Sequence, residues 1–303
     1  MLFGERHAVN DKNPSIQKKR RENLKSPFFL LLPAFIIILG ITVYPVFYSV
    51  FLSITNHEGS FAGLNNYIAV FSDPAFVQSW GRTLLFASIA IIFETAFGLI
   101  LAMLLNQKFV RFKTFLQTSF IIPMMIAPIA VGVTFKIMYH PLIGVINYFL
   151  SAFSIKPTDW LGNNLSAFAA ILMMEIWRGT PFMFLLTYSG LQGIPQDMYE
   201  AADLDGARPA RAFMDITMKW LKPTLLLAIA LRMLDMFNAF DEIMGVTAGG
   251  PGNATELIAI YIYKTSFRFQ EFNTGAAMSV IFLLLTVILA IQILKRSFRT
   301  EGK

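Results

Sequence analysis

The sequence contains no cysteine and only three histidines, His7, His57 and His140. Without cysteine the chain has neither disulfides nor a thiolate metal site, and without an HExxH pattern it has no recognisable zinc site or histidine-based catalysis. It also lacks the G-x-x-x-x-G-K-[ST] phosphate loop and the G-x-S-x-G motif, which excludes the usual forms of ATP hydrolysis and serine hydrolysis. We therefore expect no metal site, no cofactor in this chain and no enzymatic activity of its own.

Charged residues are also scarce. They make up 15% of the 303 residues, against 55% hydrophobic residues, whereas soluble globular proteins are about one quarter charged. The net charge of +6 could suggest a nucleic-acid partner. However, the basic residues lie in the gaps between apolar runs, which is how membrane orientation is encoded. The composition predicts an all-α integral membrane protein that contacts the lipid bilayer and no nucleic acid.

Six apolar stretches are long enough to cross a bilayer, which requires about 20 residues each. The first lies in the interval between Lys25 and His57, which contains no charged residue. The third contains Pro123 and Pro128, so we expect a kinked helix there. The predicted spans are about 28–52, 83–105, 114–138, 165–190, 223–245 and 275–294, with tails at 1–27 and 295–303.

The orientation follows from the lysines and arginines between the spans. Eighteen of them lie in the two tails, the 106–114 turn and the 191–222 segment, and four lie in the alternate loops. Because cytosolic segments are enriched in Lys and Arg, this distribution places both termini and the 191–222 segment in the cytosol. The apolar run after the basic N-terminal tail is too long for a cleaved signal core and lacks a small-residue cleavage site, so we expect the tail to be retained.

Residues 194–222, which we call the elbow, form the longest polar interruption on the cytosolic side. Asp197 followed by Glu200 has the form of a capping box, which predicts a helix start. Gly206 suits the left-handed conformation that ends a helix, and Pro209 suits the first turn of the next helix. The sequence therefore predicts two short helices that meet at a glycine. The apolar side of the first is expected to consist of Met198, Ala201, Ala202 and Leu204.

The elbow resembles the EAA loop of binding-protein-dependent ABC importer permeases, in which this loop fits a cleft on a cytoplasmic ATPase. The resemblance rests on Glu200-Ala201-Ala202, on Gly206 and on Ile216 at their fixed spacing. The amino-acid sequence from Tyr199 to Ala207 is closest to that of the carbohydrate-uptake branch of the family. One departure is that Met218 and Lys219 replace the family's usual Leu-Pro, so we expect a straighter second helix. The ATPase-coupling residues implied by the resemblance are Tyr199, Glu200, Ala201, Ala202, Asp205, Gly206, Ala207 and Ile216.

The resemblance extends to the predicted outer loop between the last two spans. There the GGPGNAT stretch is similar to one found between the last two spans of a family subunit. That subunit is the first of the two permeases in importers of the maltose, lactose and glycerol-phosphate kind. Together with Trp177 and Pro181, the resemblance covers nearly all of residues 28–296, but the large outer domain and extra N-terminal spans of the maltose-type subunit are missing. The alternative interpretation is that this loop is only a flexible connection between the two spans. The outer-loop residues concerned are Gly249, Gly250, Pro251, Gly252 and Asn253.

The resemblance implies a type I ABC importer permease fold with a permease domain at 28–294, both termini inside, in the bacterial cytoplasmic (inner) membrane. It implies a subunit that translocates a sugar or sugar-like solute by alternating access: an oligosaccharide, glycoside, polyol or glycerol phosphate. The implied partners are an extracytoplasmic solute-binding protein, a second permease and two cytoplasmic ATPase subunits, which bind ATP and Mg. A secondary, ion-coupled transporter is the alternative, and an integral-membrane enzyme is a third possibility.

Several ionisable residues lie inside the predicted spans, where each costs several kcal/mol if it faces lipid. Glu175 and Arg178 are three residues apart, as are Arg232 and Asp235, so each pair can neutralise itself along one helix face. Two interpretations stay open: structural ion pairs, or side chains that line a polar pathway and bind a hydroxylated solute. Lys136 is the candidate for binding an anionic group. The pathway candidates are Glu94, Lys136, Glu175, Trp177, Arg178, Arg232, Asp235, Asn238 and Asp241.

Overall fold

A computed structural model of the chain describes residues 14–107 and 109–300. The outer parts of the two predicted tails, residues 1–13 and 301–303, and Lys108 lie outside the described residues. In the described part all regular structure is helical, apart from an isolated bridge between Thr55 and Phe61. The chain divides into two units: a first that extends to Leu52, and a second that begins at Ser53.

Helix α1, Pro14–Ser53, accounts for the regular structure of the first unit and includes the apolar stretch Leu31–Ser53. The helices of the second unit follow in chain order. They are α2 (Asn65–Phe71), α3 (Pro74–Asn106), α4 (Lys113–Met125), α5 (Pro128–Met138), α6 (Val145–Ala152), α7 (Asn164–Gln192), α8 (Gln196–Leu204), α9 (Pro209–Ala212), α10 (Met218–Phe237), α11 (Asp241–Val246), α12 (Ile258–Tyr263) and α13 (Phe272–Thr300). Single π-helical turns at Phe213–Thr217 and Lys264–Arg268 connect α9 to α10 and extend α12.

Within the described residues, four helical stretches are long and apolar enough to cross a membrane: Leu31–Ser53, Pro74–Asn106, Asn164–Gln192 and Phe272–Gln292. A fifth results if α4 and α5 form one span. These two helices meet at an angle of 92°, which confirms a sharp bend where the prolines predict a kink. The predicted span 223–245 is interrupted, because α10 ends at Phe237 and α11 begins at Asp241.

Close helix packing in the second unit depends on glycines. On α3, a Cβ at Gly98 would lie 2.7 Å from the Cβ of Met183 on α7, so only glycine lets the two helices approach this closely. On α5, a Cβ at Gly132 would lie 2.2 Å from the carbonyl oxygen of Glu242, which shows how tightly α11 packs there. These contacts bring α3, α5, α7 and α11 into one bundle.

Two buried apolar clusters occupy successive levels of this bundle. The first includes Phe86, Ile171 and Ile243 and joins α3, α7 and α11. The second includes Phe184, Ile216 and Leu221, and the half-buried Met198 and Tyr199 of α8 pack against it. The second cluster therefore fixes the elbow to the end of the bundle.

Candidate functional site

The first helix of the elbow, α8, begins at Gln196 after Pro195. No side chain caps it, so the predicted capping box with Asp197 at the N-cap is wrong. Pro195 has an extended backbone (φ −61°, ψ 134°), which already directs the chain into the helix. Asp197 instead lies in the first turn, where a negative charge interacts favourably with the helix dipole.

The junction after α8 matches the prediction. Gly206 has a φ of +70°, the left-handed conformation that glycine adopts without steric cost. The Ala207 N–H donates to the Ala202 carbonyl at 2.9 Å and the Gly206 N–H donates to the Asp203 carbonyl at 3.1 Å. These two bonds are the Schellman pair that closes a helix. Pro209 occupies the first turn of α9, as predicted.

The second helix of the elbow is longer than predicted. From Pro209 the backbone stays helical through α9, the π turn Phe213–Thr217 and α10, and it continues past Pro223 to Phe237. Met218 and Lys219 lie directly after the π turn. The helical backbone of the elbow therefore continues into a long helix of the bundle, instead of ending before it.

The coupling residues divide between two environments. Tyr199 and Ile216 pack inward against the second cluster, and the Tyr199 hydroxyl lies 2.8 Å from Thr217 Oγ1. Ala202 is half-buried beside them, and Ala207 is half-buried as well. The exposed residues are Glu200, Ala201, Asp205 and Gly206.

The predicted apolar side of α8 is only partly correct. Met198 and Ala202 face the second cluster, but Ala201 is exposed and Leu204 is 90% exposed. The reason is the helical period of 3.6 residues, which places Leu204 one turn after Glu200 on the same outward face. The outward face of α8 is therefore not purely polar.

A second constellation lies inside the bundle and is centred on Arg232 of α10, which is 4% exposed. Its Nε donates to Glu94 Oε2 at 2.7 Å and its Nη2 donates to Glu94 Oε1 at 2.9 Å. Arg232 also donates to Glu175 and to Asp235. The predicted self-neutralising pair of Arg232 and Asp235 is confirmed, but the structure adds partners on α3 and α7.

Arg178 extends this network towards α11. Its Nη2 donates to Glu175 Oε1 at 2.9 Å, as predicted, and to Glu242 Oε1 at 3.3 Å. It also lies 3.8 Å from Asp235. Glu242 is absent from the sequence-based candidates. The signal that could have identified it is its acidic side chain inside the predicted span 223–245. We call Glu94, Glu175, Arg178, Arg232, Asp235 and Glu242 the charge network.

The other pathway candidates lie outside the charge network. Lys136 is exposed and makes no ion pair with the described residues. The Asn238 amide donates to the carbonyl of Leu234 in the preceding helical turn, at 2.9 Å. Asp241 is exposed at the start of α11. The Trp177 ring is tilted against that of Phe135, with 5.3 Å between ring centroids, and it lines a largely apolar cavity of about 850 Å³ between α3, α4 and α7.

The predicted outer loop, which follows α11, is folded by its own hydrogen bonds. The Thr255 hydroxyl donates to the Gly250 carbonyl at 2.7 Å and lies 2.7 Å from the Thr247 hydroxyl. Beside the loop, the buried Lys264 is paired with Glu256. Gly249 has a φ of +89°, and a Cβ there would lie 2.8 Å from Lys264 Nζ. Within this compact turn Gly252 and Asn253 remain exposed.

Comparisons with known proteins agree with this architecture. A family model described as "Binding-protein-dependent transport system inner membrane component" matches residues 94–299. The chain is 35% identical over 290 residues to the trehalose/maltose transport system permease protein MalF of Thermococcus litoralis, covering 94% of this chain and 97% of the relative. It is also 35% identical over 264 residues to the sulfoquinovosyl glycerol transport system permease protein SmoG of Agrobacterium fabrum, covering 85% of each chain.

Among solved structures, the chain is similar to one from a bacterial ABC transporter involved in the import of the acidic polysaccharide alginate. The TM-score is 0.80 at 19% identity, with 95% of this chain and 99% of the other covered. This similarity shows the type I ABC importer permease fold. Because the family model spans residues 94–299 and a 35% identical relative matches over nearly its whole length, this chain belongs to the binding-protein-dependent transport system inner membrane component family.

Proposed function

We propose that this chain is the transmembrane permease subunit of an ATP-driven importer of a sugar or sugar-like solute, which an extracytoplasmic binding protein delivers. The solute class is supported by relatives named for trehalose/maltose, sulfoquinovosyl glycerol and arabinooligosaccharide transport. Oligosaccharides, glycosides, polyols and glycerol phosphate are the classes to be tested. The family does not favour the alternative of an ion-coupled secondary transporter.

The observation that carries the proposal is the elbow, a pair of short helices at the end of the bundle that leaves Glu200, Asp205 and Gly206 exposed. The sequence lacks a phosphate loop, so in an ATP-driven importer a partner binds ATP and Mg. We propose that two cytoplasmic ATPase subunits fill this role, that one docks on the elbow, and that a second permease completes the pathway. The binding protein would dock on the opposite, extracytoplasmic side.

The continuous helix provides a physical route for coupling. From Pro209 to Phe237 it measures about 43 Å at 1.5 Å per residue, and it carries Arg232 near its far end. Movement of the elbow therefore moves the helix on which Arg232 is fixed, against Glu94 on α3 and Glu175 on α7. In this mechanism of alternating access, ATP-driven motion of the elbow rearranges the charge network and the helices that it joins.

The proposed topology has six spans with both termini in the cytosol of a bacterium, in its cytoplasmic membrane. In addition to the four apolar stretches and the bent pair α4–α5, it requires α10 and α11 to cross as an interrupted span. Arg232 and Asp235 are compatible with such a span because they are paired within the charge network. Asp235, Asn238 and Asp241 lie near its interruption, where a helix break with polar side chains suits a solute pathway.

Transport by the reconstituted complex tests the proposal. Proteoliposomes that contain both permeases and the ATPase, with binding protein and radiolabelled solute outside, should accumulate solute only with ATP inside. A non-hydrolysable ATP analogue is the matched control, and collapse of proton and sodium gradients should leave uptake unchanged. Uptake that proceeds without the ATPase and stops when an ion gradient is collapsed would instead establish a secondary transporter. Binding of a solute panel to the binding protein would identify the solute.

A further inference from the structure

The hairpin that connects α5 to α7, residues 140–163, presents large apolar side chains at its surface. Six of them are between 52% and 89% exposed: Leu142, Ile143, Tyr148, Phe149, Phe153 and Ile155. From Pro141 to Ile155 the sequence contains no charged residue. Contiguous exposed apolar patches of this kind mark sites that contact a protein or a membrane.

Helix α6 within this hairpin is apolar on both its inward and its outward side. Ile146 packs inward against the first cluster. Val145, Tyr148 and Phe149 are exposed on the other side, where spacings of three and four residues place them on one helix face. A surface helix that faces water carries polar residues on its outward face, so the sequence of α6 does not suit an aqueous surface.

The inward side of the hairpin is occupied by a buried amide. Asn147 donates to the carbonyls of Pro141 and Thr158, at 3.2 and 2.9 Å. Its Oδ1 accepts from the Thr158 N–H and from Trp160 Nε1, both at 3.1 Å. The amide therefore uses two donor and two acceptor positions, and it fixes the hairpin with its apolar outward face turned away from the bundle.

Lipid is the partner that fits the position and the chemistry of this outward face. In the proposed topology α5 and α7 belong to spans, so the hairpin is held at the outer surface of the bilayer. Its apolar surface continues onto that of α5, where Ile129, Val133 and Ile137 are exposed at four-residue spacing. The 8 residues of α6 measure about 12 Å, too short to cross a hydrocarbon core of about 30 Å. The helix therefore suits the surface of the bilayer and not a further span.

We propose that the hairpin is an interfacial anchor: α6 lies parallel to the membrane surface, with its outward face among the lipid chains of the outer leaflet. Tyr148 belongs to a residue type that is enriched at the membrane–water interface. Lys156, directly after the apolar stretch, can extend its ammonium group to the lipid headgroups. The hairpin thereby fixes the depth of the outer ends of α5 and α7 in the bilayer. This inference rests on the proposed topology, and it assigns to lipid a segment that the sequence alone places among the outer loops.

Spin labels on single cysteines test the anchor, and the chain contains no cysteine that would interfere. Phe149→Cys and Phe153→Cys report on the hairpin, and Glu58→Cys, exposed in the loop that precedes α2, is the matched control. In proteoliposomes of the assembled complex, molecular oxygen concentrates in the hydrocarbon and a nickel chelate stays in water. Relative to free label, positions 149 and 153 should collide more often with oxygen than with the chelate, and position 58 should show the reverse order. Lys156→Cys should give an intermediate ratio, as expected of a headgroup position.

The same order of collision rates at positions 58, 149 and 153 would overturn the inference. Low collision rates with both reagents at positions 149 and 153 would also overturn it, because they would show that the second permease covers the hairpin. Shielding of these labels from the chelate only after the binding protein is added would assign the face to that protein instead of lipid. A label at position 58 that the chelate does not reach would refute the proposed topology. None of these readouts depends on uptake, so a failure of the proposed transport activity is recognised separately.

Discussion

Replacement of Gly179 by alanine tests the charge network directly. Gly179 lies on α7, one residue after Arg178. A Cβ at this position would lie 2.1 Å from Arg232 Nη2 and 2.2 Å from Glu94 Oε1. Both atoms belong to the buried bidentate contact between these side chains, so the new methyl group has to push them apart.

The expected magnitude combines three contributions. In a helix, glycine to alanine is normally stabilising by about 1 kcal/mol, because alanine restricts the unfolded chain. Overpacking of a close-packed interior costs about 1–3 kcal/mol. Loss of a hydrogen bond between Arg232 and Glu94, in which both groups are charged, costs about 1.5–3 kcal/mol. The sum predicts that Gly179→Ala lowers the free energy of unfolding by about 2–5 kcal/mol.

Thermal unfolding of the purified protein in detergent measures this effect. For a protein of this size, 1 kcal/mol corresponds to about 2–4 °C, so we expect Tm to fall by about 4–20 °C. Gly81→Ala on α3 is the matched control, because no heavy atom lies within 4 Å of its added Cβ. This variant should leave Tm unchanged or raise it slightly. If Gly179→Ala and Gly81→Ala have the same Tm, the close approach of Arg232 and Glu94 to α7 is refuted.

Three further variants probe the pathway and the elbow. Asp235→Asn should raise the solute concentration for half-maximal uptake about tenfold or more, because a charge-assisted hydrogen bond is lost. Assembly of the complex should stay intact, and unchanged uptake would remove this residue from the pathway. Tyr199→Phe should destabilise the protein by about 1 kcal/mol, and a double-mutant cycle with Thr217→Val should be non-additive; additive losses would argue against this contact. Hydrogen bonding by Lys219, aided by its charge, lowers the pKa of Asp215. The stability difference between wild type and Asp215→Asn should therefore be present at neutral pH and disappear as the pH falls through the lowered pKa. A difference that persists in strong acid would contradict this assignment.

Features that depend on neighbouring residues in the sequence could be predicted well. Four of the six predicted spans correspond to long apolar helices, and Pro123 and Pro128 lie at the 92° bend between helices α4 and α5. Gly206 and Pro209 mark the end of one helix and the start of the next, because their own backbone preferences suffice. Two predictions of this local kind were wrong. A proline and not Asp197 precedes the start of α8, and the second helix of the elbow continues into α10.

The site was only partly predictable. The ion pairs three residues apart, Glu175 with Arg178 and Arg232 with Asp235, follow from helical spacing alone. The bond between Arg232 and Glu94 joins residues 138 positions apart, so no local pattern identifies it. Glu242 enters the charge network for the same reason, since its position depends on the packing of α11 against α5 and α7.

By itself, the sequence predicted a membrane protein with several long apolar helices and a polar elbow that resembles an EAA loop. These properties follow from hydropathy, charge and backbone preference, each of which acts over a few residues. Only the tertiary structure decided which side chains meet inside the bundle and which side of α8 faces outward. Both depend on how separate helices pack, and this packing buries Met198 against the second cluster while it leaves Leu204 exposed.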